Sequence, residues 1–413
     1  MSPFVKIAAT VSRIAQLTLL MAASLIFFSC PSGNTPSSAS QQASTQSWFA
    51  NAPGSPVSVP GGPSNISIAD MNNDRKLDLV VSCGRARSIT ILEGKGNGQF
   101  GPALSNTTLA EPPGEIAVGD VNGDGKLDVA VASHDSYGVV LLTGDGKGGL
   151  AKAPTSPIVM RQGQHPHTHG LAVADVNRDN NLDLITCNST DNDISLALGD
   201  GRGKFTRVSQ SFPVGPSPYP FGSGDVNNDG WLDIVATATA TGPLRREQLP
   251  FSRALTLLLS DKKGGFSPRQ LPLRTGEPWF AAIADLNGDT RPDIVATHHD
   301  QNALTVMMGD GRGGFTEANG SPFDFGVTLF QLIIVDVDRD SRMDVVATTG
   351  DSVRVLLGDG RGAFKQAASI PVEKGAWRLA AADLNADGTI DVVTSNSESN
   401  SLNVLLGNPA SKR

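Results

Sequence analysis

Residues 116–132 read Ile116-Ala117-Val118-Gly119-Asp120-Val121-Asn122-Gly123-Asp124-Gly125-Lys126-Leu127-Asp128-Val129-Ala130-Val131-Ala132. Oxygen-bearing side chains occupy positions 1, 3, 5 and 9 of the loop that starts at Asp120, and an apolar run flanks it on each side. The pattern recurs with starts at Asp70, Asp175, Asp225, Asp285, Asp336 and Asp383, 47 to 60 residues apart. A regular period of this size marks a repeat architecture, so one unit of the fold is being written seven times.

Calcium prefers six to eight oxygen ligands, and a loop with oxygens at 1, 3 and 5 wraps them about one point. The candidate ligands are Asp70, Asn72, Asp74 and Asp78; Asp120, Asn122, Asp124 and Asp128; Asp175, Asn177, Asp179 and Asp183. The later sets are Asp225, Asn227, Asp229 and Asp233; Asp285, Asn287, Asp289 and Asp293; Asp336, Asp338, Asp340 and Asp344; Asp383, Asn385, Asp387 and Asp391. A β-branched run follows position 9 at once, so the loop joins two strands and is no EF-hand. Glycine at position 6 suits the turn in three copies, whereas Arg75, Asn180, Thr290 and Ser341 stand there in the others. Threonine tolerates the left-handed region poorly, which makes the Asp285 loop one of the weakest expected sites. Magnesium is disfavoured by its stricter octahedral geometry.

A third apolar run follows in each unit, then a glycine-rich turn ending in phenylalanine, as in Gly199-Asp200-Gly201-Arg202-Gly203-Lys204-Phe205. Asp-Gly between apolar runs signals a hairpin. Each unit therefore reads as four short antiparallel strands, and four-stranded units in radial repetition make a β-propeller. The expected fold is all-β: a seven-bladed β-propeller of four-stranded antiparallel blades over residues 48–408. The last repeat stops after its third strand, and Phe49 to Pro56 parallels Phe315 to Pro322. The N-terminal strand is thus expected to complete the last blade and close the ring.

These residues resemble the FG-GAP/VCBS repeat family, relatives of the integrin α-subunit head. The resemblance implies a calcium-binding propeller. It leaves activity open, since members include adhesins, lectin-like binders and polysaccharide-active enzymes.

Lys6 and Arg13 precede an apolar stretch, Ile14 to Phe28, too short for a comfortable membrane span and suited to a secretory signal over residues 1–29. Ser29-Cys30 and the polar, proline-rich segment to Ser47 resemble a lipoprotein signal and tether, with lipid attachment at Cys30 and a location in the cell envelope or outside it. Residues 409–413 form a short tail. Cys83 and Cys187 fall on non-neighbouring units and are expected to be buried thiols. The net charge of −8 resides largely in the ligand loops, and no concentrated basic tract suggests nucleic acid. A monomer is expected.

Strand alternation puts the acidic loops and glycine-rich turns at one end of the molecule. The six histidines and both tyrosines fall at the other. Six residues before each acidic loop stand Ser64, Gly114, His169, Tyr219, Trp279, Phe330 and Trp377, with Glu115, Gln331 and Arg378 beside them. These positions are expected to rim a central channel. Aromatic faces with interleaved polar groups suit sugar rings, although the same rings could pack between blades. The expected ligand-binding set is His169, Tyr219, Trp279, Phe330, Trp377, Arg378, His134, His298 and His299. The loop from Thr237 to Arg253 is long enough to cover the channel. His165, His167 and His169 alternate along one strand and offer a possible transition-metal site. The leading reading is a non-catalytic module binding a glycan or a protein. The alternatives are a lyase or hydrolase using His134, Asp135, His169, His298, His299 and Glu115 for proton transfer, and a purely structural envelope protein.

Overall fold

The computed structural model describes residues 48–239, 253–298 and 300–408. Among these residues every regular element is a strand. The first repeat sets the pattern: Pro63–Ala69, Asp78–Cys83, Ser88–Gly94 and Phe100–Thr108 pair antiparallel in chain order. Every acidic loop joins the first strand of such a set to the second. The second strands, such as Asp78–Cys83 and Asp293–His298, are buried along their whole length. This explains the apolar run at their centre, Leu79 to Val81 and Ile294 to Ala296.

The ninth-position aspartate holds each set together. Asp78 is fully buried, and its two carboxylate oxygens accept the N–H groups of Met71 (2.9 Å) and Gly94 (2.8 Å). Asp128 does the same with Val121 and Gly144, and Asp183 with Val176 and Gly199. The contact recurs at Asp233, Asp293, Asp344 and Asp391. One carboxylate thus ties the acidic loop to the end of the third strand. Glycine at that strand end has a steric cause: a Cβ at Gly94 would overlap the Leu77 carbonyl, and one at Gly144 the Leu127 carbonyl.

The outer strand is continuous in some repeats and split in others. In the second, third and fifth it runs as Leu150–Lys152 and Ile158–Val159, Phe205–Arg207 and Phe212–Pro213, and Phe315–Glu317 and Phe323–Asp324. In the fifth, Ser321 Oγ accepts the N–H of Val306 (3.0 Å) where the ladder is interrupted. The N-terminal segment repeats this on the last repeat. Phe49–Asn51 and Val57–Ser58 pair with Ser401–Gly407, and Ser55 Oγ accepts the N–H of Val404 (3.0 Å).

The sixth and seventh repeats share one sheet through the 19-residue strand Phe364–Ala382, whose first part is outermost in one and whose last part is innermost in the next. Apolar clusters fill the space between successive repeats, for example Val80 and Ile89 against Ile116 and Val129, or Val235 and Leu257 against Ile294 and Met307. Phe49 joins the cluster between the sixth and seventh. Another joins the seventh to the first: Val393, Leu402 and Val404 with Leu79 and Val81. Polar bonds reinforce this junction, since the Arg85 guanidinium donates to Asn400 Oδ1 (2.6 Å) and the Ser397 carbonyl (2.5 Å). Cys83 and Cys187 are free and buried.

Candidate functional site

The first strands of the repeats begin with a local irregularity. Ser64, His169, Trp279 and Trp377 each sit at a register shift, as the extra residue between Pro63 and Asn65, Thr168 and Gly170, Pro278 and Phe280, and Ala376 and Arg378. Phe330 and Gln331 both bond Thr348, and Gly114 and Glu115 both bond Ala132. Two residues facing one is the definition of a β-bulge, a device that re-aims side chains. Ser64, Gly114, Glu115, His169, Trp279, Phe330, Gln331, Trp377 and Arg378 border one cavity of about 370 Å³, together with Tyr219.

The rings form a continuous arc. His169 stacks on Tyr219 at a centroid distance of 4.2 Å, and Tyr219 meets Trp279 edge to face at 5.6 Å. Trp279 contacts Phe330 (5.1 Å) and Trp377 (5.9 Å), and Phe330 stacks on Trp377 (4.3 Å). The rings pack on one another and also line the cavity. Trp377 keeps 43% of its surface exposed. Ser64 and Gly114 stand in the first two repeats where the others carry rings, and both border the cavity.

The residues after the ring positions build the polar wall. The Arg378 guanidinium pairs with Glu115, which also accepts from the Asn65 amide. Glu115 is buried, and burial raises its pKa while Arg378 and Asn65 oppose the rise. Gln331 accepts the N–H of Leu379 (3.0 Å) and also borders the cavity. Asn65 was not anticipated from the sequence. Its signal was its position, one residue after the ring site, as for Glu115, Gln331 and Arg378.

His134 borders the cavity, with its ring 4.6 Å from that of His169. His169 Nε2 lies 2.8 Å from His167 Nε2. Burial and then the neighbouring His134 and His167 push the pKa of His169 down to about 2, so it is a neutral ring in ordinary buffers. The alternation of His165, His167 and His169 places only the last two together, because His165 is exposed on the connecting segment. The expectation for His298 is corrected. It ends a fully buried second strand, bonds Thr305 Oγ1 (2.7 Å) and does not border the cavity. His299 and most of the Thr237–Arg253 loop lie outside the described residues. Of the proposed proton-transfer set, His134, His169 and Glu115 border the cavity, and Asp135 does not.

At the opposite end the acidic loops share one geometry. Asp70 accepts the N–H groups of Asp74 (3.1 Å) and Arg75 (2.8 Å), Asn72 accepts that of Asp74 (2.9 Å), and Asp74 accepts that of Lys76 (2.9 Å). Positions 4 and 6 adopt positive φ in every loop, including Arg178, Thr290, Arg339 and Ala386. In the sixth loop the carboxylates of Asp336, Asp338 and Asp340 bring ligand atoms within 4.8 Å of one another. Hard oxygen donors converging on one point fit a hard divalent cation. The ninth-position aspartates have the clamp described above as a structural task, and each oxygen retains further acceptor capacity.

A family model for the FG-GAP-like repeat matches residues 70–131, 120–186, 175–236, 285–347 and 336–394, together more than half of the chain. The chain belongs to the FG-GAP-like repeat family. No curated protein sequence gives a match. Among solved structures, the chain resembles BBS1N, determined in complex with ARL6DN, at 11% identity with a TM-score of 0.59, covering 89% of this chain and 99% of that one. It also resembles an Agrocybe aegerita lectin described as recognising non-reducing terminal N-acetylglucosamine (17% identity, TM-score 0.52, 83% and 86% covered). The Pseudomonas aeruginosa periplasmic gluconolactonase PpgL is similar at 17% identity and a TM-score of 0.53, with 76% and 86% covered. These likenesses place the chain among the β-propellers.

Proposed function

We propose that the chain is a seven-bladed propeller, closed by residues 49–58, that acts as a calcium-stabilised binding module and takes a glycan at the cavity opposite the acidic loops. The observation that carries this reading is that the arc of Tyr219, Trp279, Phe330 and Trp377 lines one cavity of about 370 Å³ together with the polar Glu115, Gln331 and Arg378. Apolar pockets with a few fixed polar groups suit small ligands, and flat rings suit sugar faces. The shared core between the seventh and first repeats supports ring closure. The fold likeness to a sugar-binding lectin is consistent with a glycan, and the BBS1N complex is consistent with a protein partner. Calcium would be held by positions 1, 3 and 5 of the acidic loops, with position 9 beneath them, and would neutralise carboxylates crowded by the fold. Residues 1–47 would direct export, with Cys30 as the point of lipid attachment.

A catalytic role draws less support, because Glu115 is held by Arg378 and Asn65 and His169 stays neutral. A glycan array, run with and without calcium, tests the reading. Loss of a hit in both Trp279→Ala and Trp377→Ala is the expected result, and binding equal to the unmodified protein in both variants would remove the cavity from consideration.

A further inference from the structure

The cavity has two features that restrict what enters it. Its bordering residues all lie at the starts of first strands or in the loops of the same end, and none belongs to an acidic loop. The space is therefore a cup that lies wholly at this end of the molecule. Its only ion pair is internal: Arg378 and Glu115 neutralise each other, and Glu115 is 8% exposed. Because Glu115 already neutralises Arg378, the pair offers an ionised ligand little electrostatic attraction to offset its loss of hydration. A neutral ligand can bond the pair from outside without separating it. Trp377 supplies the platform: Phe330 covers one face of its indole, yet 43% of the residue stays exposed.

Resting on the glycan reading above, we propose that the cup takes the terminal ring of an uncharged saccharide, stacked on Trp377 with its hydroxyls against Arg378, Glu115 and Gln331. A space of about 370 Å³ confined to one end of the molecule matches the end of a chain better than its interior. No covalent step is involved.

The test uses the protein carrying its propeller, titrated with cello-, chito-, manno- and malto-oligosaccharides of two, four and eight residues, and with oligogalacturonates of the same lengths. Tryptophan fluorescence and calorimetry are the readouts. The expected result is binding of at least one neutral series, with stoichiometry independent of chain length, and at least a tenfold weaker response to the galacturonates. Trp377→Ala should weaken that binding by tenfold or more while Trp377→Phe restores part of it, with unchanged thermal melts showing that both variants are folded. Tighter binding of the galacturonates, or more protein bound per chain as the chain lengthens, would overturn the terminal, uncharged assignment and leave the glycan reading intact. Absence of binding to every saccharide, with a normal melt, would overturn both.

Discussion

Thr290 offers a measurement of how much backbone strain the acidic loops hold. It occupies position 6 of its loop at φ +67° and is exposed, while Gly125 occupies the same place in the second repeat at φ +80°. A left-handed conformation costs an L-residue about 1–2 kcal/mol, and β-branching puts threonine at the upper end. Glycine loses about 0.5–1 kcal/mol more conformational entropy on folding. The Thr290 N–H donates to Asp285 (2.7 Å) and its carbonyl accepts from Asn228 (3.1 Å), and both bonds are backbone bonds that survive Thr290→Gly. The net gain is therefore about 1 kcal/mol. The reciprocal change is clean, because a Cβ at Gly125 would meet nothing within 4 Å, so Gly125→Thr adds strain and no clash. By the size scaling of unfolding entropy each change moves the melting temperature by about 1–2 °C, upward for Thr290→Gly and downward for Gly125→Thr. Differential scanning calorimetry in excess chelator isolates the backbone contribution from any metal. Shifts of the same sign in the two variants, or no shift in Gly125→Thr, would refute the strain argument.

Further measurements address the rest of the molecule. Chelation is expected to lower the melting temperature in a calcium-reversible way, since a ligand at about 100-fold its Kd contributes about 2.7 kcal/mol per site; an unchanged melt would remove the metal's structural role. Asp128→Ala orphans the N–H groups of Val121 and Gly144 and should cost about 1–3 kcal/mol for each, read from urea midpoints. Burial lowers the pKa of His298 to about 4, with Asp300 opposing the shift. The unfolded chain takes up this proton near pH 6.5 and the folded chain near 4, so stability falls as pH drops through that window, by up to about 3 kcal/mol. Substituting His298 by Gln should flatten that part of the stability profile, and an unchanged slope would count against it. Gly114→Phe places a ring at the border of the cup, with the movable His134 ring 3.2 Å and the Ala132 carbonyl 3.5 Å from the new Cβ, and should abolish saccharide binding while preserving the melt.

Much of the fold was legible because its determinants are local and repeated. The acidic loop, the apolar runs around it and the Gly-x-Gly-x-Phe turn each specify a strand or a turn without reference to distant residues. The parallel between Phe49–Pro56 and Phe315–Pro322 was legible for the same reason, and both segments place a serine hydroxyl on an equivalent strand N–H. The position of the rings was legible as a fixed offset from each loop. What they do there was not, because it depends on bulges. A bulge leaves no residue signature at Ser64, Trp279 or Trp377; it emerges from the register of pairing with the second strand. His298 was misplaced through a related limit. Its neighbours in sequence are polar, but the strand that ends with it is enclosed on both sides. The ninth aspartate's clamp was hidden too, since the glycine it reaches lies 16 residues on from Asp78.

The asymmetry of the ring position explains why a cavity exists at all. Equal rings at every repeat would pack on one another and fill the space between them, as Trp279 does with Tyr219, Phe330 and Trp377. Repetition by itself therefore makes a plug. Two departures from it, Ser64 and Gly114, fall in consecutive repeats, so their missing volume adds into one space instead of two small gaps. The residues that follow them, Asn65 and Glu115, bond each other, and Glu115 also pairs with the Arg378 brought by the seventh repeat. That contact depends on the seventh repeat returning beside the first. The packing of the seventh repeat against the first is thus also what assembles the polar side of the cup, and a variant that weakens the pairing of Phe49–Asn51 with Ser401–Gly407 is expected to lose saccharide binding before it loses its sheets.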